Sequence, residues 1–70
     1  MSEDEAKIAD GKQWAVMAAM QGAGAAADIA RGLASPSHHV IRGHLQNARN
    51  QLREAEENLT RALITIETVS

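Results

Sequence analysis

Seventy residues carry seven basic and nine acidic side chains, a mildly acidic balance of net charge −2. That length allows one domain with a marginal core, and the lack of cysteine excludes disulfides and thiolate metal sites as staples. With Trp14 as the one aromatic residue, stability must come from long contacts or from oligomerisation, and the charge balance argues against general affinity for nucleic acid or anionic membranes.

The chain opens on MSEDEAK, an acidic start unlike the basic leader of a secretory signal. Ser2, followed three residues later by Glu5 and with Asp4 in the same turn, predicts a capping box and a helix start. Helix 1 is expected over about 3–34. Its segment AVMAAMQGAGAAAD, positions 15–28, is apolar almost throughout and yet built from tiny side chains. The run from Trp14 to Ala34 has the length of a membrane span, but Ala and Gly gain little in lipid, and Gln21, Asp28 and Arg31 interrupt it. A cytoplasmic protein without membrane contact is the expectation.

The only proline, Pro36, stands in LASPSHHV. Ser35-Pro36 reads as an N-cap followed by the first helical position, and the residue before a proline is pushed out of helical geometry. A turn is therefore expected near 35, with helix 2 over about 36–68. No stretch alternates as a strand would. Each helix would be about 48 Å long at ~1.5 Å per residue, and the short turn makes the two antiparallel neighbours. The expected fold is all-α, a single helical-hairpin domain over residues 1–70.

Helix 2 has the clearest pattern. Ile41, Leu45, Ala48, Leu52, Ala55, Leu59, Ala62, Ile66 and Val69 alternate spacings of four and three, the heptad signature of a coiled-coil seam. Helix 1 offers a matching frame in Ile8, Gly11, Ala15, Ala18, Gly22, Ala25, Ile29 and Gly32. Folded about position 35, Leu45 would meet Ala25, Leu52 would meet Ala18 and Leu59 would meet Gly11, while Ala48 would meet Gly22 and Ala62 would meet Ile8. Leucine knobs would thus fill shallow holes in a tight Ala/Gly–Leu seam. Gly11 and Gly22 need such a packing reason, since each glycine costs a helix interior about 1 kcal/mol.

The seam does not use up helix 1, which is apolar nearly all round. A helix of that kind is buried on more than one face. Closure by a second copy into a homodimeric four-helix bundle is the expected solution. Trp14, Met17 and Met20 are the expected anchors of an oligomer or partner interface, and Gly24, off the seam, suggests a second close approach. Charge is uneven as well. From Asp28 to Arg53 four arginines face one aspartate, whereas the remainder holds three basic and eight acidic residues. The hairpin would be a rod with a basic turn end and an acidic open end.

Few constellations carry chemistry. His39 and His44 are five apart and His38 and His44 six apart, so neither pair has the i, i+4 spacing of metal ligands on one helix face. Ser35 or Ser37 beside His38 lacks an oriented third group for nucleophilic catalysis. The Glu54, Glu56, Glu57 cluster lacks the Glu-x-x-His of di-iron bundles. GAGAAAD follows no strand, as a phosphate-binding loop would. No catalytic residue, metal or cofactor is expected.

The function these features favour is non-enzymatic: a small regulator, inhibitor or adaptor that binds itself and another protein. In composition it resembles small accessory proteins of phages and other mobile elements. The alternative is binding of nucleic acid or a small anionic nucleotide through His38, His39, Arg42, Arg49 and Arg53. Small antiparallel hairpin dimers that bind RNA share this outline, but that surface has no aromatic side chain on which to stack a base.

Overall fold

Two helices, α1 (Glu3–Ala34) and α2 (His38–Glu67), pack against each other as an antiparallel hairpin in a computed structural model that describes residues 2–69. The described residues contain no strand, and no helix among them is long and apolar enough to cross a membrane. The hairpin is a flat rod of 54 × 15 × 10 Å.

The start of α1 follows from its sequence. Ser2 Oγ accepts the Glu5 amide at 3.1 Å, and Glu3, Asp4 and Glu5 occupy the first turn, where the helix dipole favours negative charge. Ser2→Ala is expected to cost about 1 kcal/mol, read as a lower midpoint in a urea melt followed by circular dichroism. An unchanged midpoint would show the cap to be idle.

The turn differs from expectation. Ser35 is not the N-cap of the second helix but the C-cap of the first, extended at φ −86° and ψ 138°, its amide donating to Gly32 O. Pro36 holds it there by excluding helical geometry from the preceding residue. Ser37 stands at the N-cap position of α2 without a side-chain capping bond, and its amide donates to Ser35 Oγ at 3.2 Å. The connection thus takes three residues, 35–37, and α2 starts at His38 instead of Pro36.

That longer turn shifts the register and changes what meets at the seam. A methyl at Gly11 would point at Ile66 and at Ala62 O, and one at Gly32 would point at His44, Ile41 O and Leu45. Gly11 therefore lies against Ala62, not Leu59, a displacement of three residues from the expected pairing. The same displacement brings Ala18 level with Ala55 and Ala25 level with Ala48, and all four are buried. Small residues meet small ones. Leu45, Leu52 and Leu59, expected as knobs, lie beside the seam and are 44 to 49% exposed.

The buried line is thus Gly11, Ala18, Ala25 and Gly32 at steps of seven, against Ala48, Ala55 and Ala62. Such a line lets two backbones approach closely but removes little apolar area. Its five buried alanine methyls supply about 4 kcal/mol at ~0.8 kcal/mol per carbon. Among the described residues no large side chain is fully buried.

Candidate functional site

On either side of the seam the hairpin presents two unlike faces. One is polar, and its buried side chains bond to one another. It is built at steps of seven from Lys7, Trp14, Gln21 and Asp28 on α1 and from His44, Gln51 and Asn58 on α2. Asp28 is buried, and its carboxylate accepts from Gln51 Nε2 at 3.1 Å and from Arg31 Nη1 at 3.5 Å. His44 Nδ1 lies 3.3 Å from the same carboxylate, a contact made when Nδ1 carries the proton. Asn58, also buried, donates to Gln21 Oε1 at 2.7 Å and accepts from Arg61 Nη1 at 3.1 Å. Gln21 in turn donates to Glu54 at 3.2 Å. The Arg61 guanidinium stands 5.0 Å above the Trp14 ring.

The sequence reading missed Asp28, His44, Gln51 and Asn58 as a linked set. Their one visible signal is the step of seven within each helix, displaced from the apolar frame by three residues. Which carboxylate meets which imidazole depends on the register, and the register depends on the turn.

The opposite face is apolar. Ile66 and Leu45 lean over Gly11 and Gly32, and a groove lined by Gly11, Lys12, Ala15, Leu59, Leu63 and Ile66 runs beside the open end. At steps of seven the face continues through Ile8, Ala15, Gly22 and Ile29 on α1 and Leu45, Leu52, Leu59 and Ile66 on α2. Ala15, expected on the seam, is exposed here. Gly22, expected against Ala48, has open space where its side chain would be. Both follow from the register, which carries them off the line of closest approach.

The expected interface residues separate. Met17 and Met20 are 39% and 69% exposed on the outer surface of α1, beside Val16 at 50%. Trp14 is half-buried beneath Arg61. Gly24 does make room for a close neighbour, but that neighbour is the Gln51 amide of the same hairpin, so the glycine is already used within one chain. Gln51 Oε1, lodged against it, is a buried acceptor without a hydrogen-bond partner.

The turn end gathers part of the expected cationic set. His38, Arg42 and Arg49 line one shallow groove whose floor is Ile41 and Leu45. His39 lies against His38 with ring centres 4.1 Å apart and planes tilted by 39°. Arg53 is exposed and does not line that groove. Among the described residues no group of three or more His, Asp or Glu side chains is placed to hold a metal ion.

No protein-family model matches the chain, and no curated protein or solved structure is significantly similar to it.

Proposed function

We propose that this chain is a non-enzymatic interaction protein, a regulator, inhibitor or adaptor that acts by covering apolar surface on another protein. The observation that carries this reading is where its large apolar side chains sit. The seam is closed by glycine and alanine, and thirteen large apolar residues remain exposed, Met17 and Met20 among them. Contiguous exposed apolar surface on a small protein marks an interaction site, and methionine suits a contact that must adapt to its partner. The engagement of Asp28 by Gln51 and Arg31 within the hairpin supports a structural rather than a catalytic role for the buried acid. An acidic interaction protein of this kind suits the cytoplasm.

A second reading has one specific observation behind it. His38, Arg42 and Arg49 share a groove with an apolar floor, an arrangement able to hold a nucleotide or a nucleic-acid backbone.

The experiment that decides is affinity capture from cells producing the protein, with mass spectrometry and nucleic-acid quantitation of what is retained. Three proteins are compared at matched helicity: the parent, Met17→Glu/Met20→Glu, and Arg42→Gln/Arg49→Gln/Arg53→Gln. The interaction reading expects the methionine variant to lose a defined protein partner by at least about thirtyfold, and the arginine variant to retain it. Loss in the arginine variant alone, with captured nucleic acid and a steep fall in binding as salt rises, would overturn that reading in favour of the second.

A further inference from the structure

We infer that the apolar face is closed by a second copy of the chain, packed face to face and running antiparallel, so that the turn end of one hairpin lies over the open end of the other. The inference deepens the interaction reading by naming the occupant of one face, and it rests on that reading.

Ile8, Ile29, Leu45, Leu52, Leu59 and Ile66 are 36 to 49% exposed and share this face from end to end. The reverse face has no such demand, because Asp28 and Asn58 are already bonded within the hairpin. Three observations name the occupant.

The first is size. A 54 × 15 Å face offers roughly 800 Å², which is what each partner of a standard stable interface buries. A short peptide would cover only part of a strip that long.

The second is charge. Between the turn and the midpoints of the two helices stand Arg31, Arg42 and Arg49 with Asp28, a net +2, whereas the open half carries eight acids, Glu67 and Glu3 to Glu5 at its tip among them, against Lys7, Lys12, Arg53 and Arg61, a net −4. A rod with opposite signs on its two halves is complementary to its own reversed copy. Parallel stacking would set like charge on like, and complementary potentials fix the orientation of a contact.

The third is Gly22. Glycine weakens a helix interior, and nothing within 4 Å would meet a side chain there; Gly43 is as open, but Gly22 differs in lying on the apolar face. It lies near the middle of the face, one heptad from Ala15. Reversed copies bring the Ala15–Gly22 stretch of one chain against the same stretch of the other. Small residues then permit a close backbone approach between hairpins, as they do within one.

The test is sedimentation equilibrium at micromolar concentration on the parent, Gly22→Leu, Leu52→Glu and Gly43→Leu, with helicity checked for each. The parent is expected at twice the 7.5 kDa chain mass. Gly22→Leu and Leu52→Glu are expected to weaken association about a hundredfold. Neither touches the intramolecular seam, and Gly22→Leu also removes a helix-weakening residue, so folding is retained. Gly43→Leu, which also enters open space but lies off the face, is expected to associate like the parent. Orientation is read from nitroxide labels on Ser35→Cys, expected to sit apart by a distance close to the 54 Å rod length. A parental mass other than the dimer's would overturn the inference, as would a dimer unmoved by both face variants. Labels side by side at one end would overturn the antiparallel arrangement. Capture of a protein through Met17 and Met20 is read separately, so a monomeric parent would remove the second copy without removing the interaction reading.

Discussion

Ala25→Leu is expected to open the hairpin, at a cost of about 3 kcal/mol or more. Ala25 is 1% exposed, the most tightly enclosed alanine of the seam, and stands level with Ala48, itself 2% exposed. A leucine there has no cavity to enter. Backbone faces backbone across this line, so the extra carbons must push the helices apart over several turns, and neighbouring alanine contacts are lost with them. In a chain of this size that loss lowers the melting temperature by roughly 12 °C or more, followed by circular dichroism. Ala23→Leu, exposed on the outer side of α1 and off both the seam and the apolar face, is the comparison and leaves the hairpin's own contacts intact. If Ala25→Leu melted with the parent while Ala23→Leu did not, the register of the two helices would be wrong.

The second large effect is expected at Asp28. Its carboxylate is the common acceptor for Gln51, Arg31 and His44 on the buried edge of the polar face. Asp28→Ala strands those donors, one of them on a side chain already carrying a buried acceptor without a partner. Leaving buried donors without their acceptor costs about 1 to 3 kcal/mol. Asp28→Asn retains an acceptor oxygen and is expected to lose about half as much. The measurement is urea unfolding of both variants. Equal stability of Asp28→Ala and the parent would mean that the cluster contributes orientation without energy. The same cluster biases the register, since sliding α2 by one heptad leaves alanine against alanine but keeps only one of the pair His44 and Gln51 beside the acid.

Two helices, their direction and the place of the break were legible in the sequence, because each has a local cause. Ser2 caps, Pro36 interrupts, and steps of three and four mark the apolar side. What meets what across the hairpin was not legible. Pairing depends on the length of the turn, and a turn read as centred on Ser35 in place of the three residues 35–37 moves every contact by three positions. That error put Gly22 against Ala48, gave the leucines holes to fill and hid the Asp28 cluster. Gly24 shows the same limit. The residue type correctly signalled a close approach, but only the register shows that Gln51 makes it. The histidines illustrate the reverse. His38 and His39 are adjacent in sequence and their tilted rings lie together, whereas His44 turns to an acid sixteen positions away, beyond the reach of any local pattern.

The contact between Arg61 and Trp14 turns the chain into its own optical gauge. With no Tyr or Phe present, all near-ultraviolet emission comes from a single indole, which is half-buried and lies 5.0 Å beneath a guanidinium carried by the other helix. When the two helices of the hairpin part at that level, the ring loses its cationic cover and gains water in the same event, so its emission moves to the red. Backbone helicity and indole colour then report separate events, the melting of each helix and the parting of the pair. A lag between the two signals on rapid mixing with denaturant would time one event against the other, without any label added to the molecule.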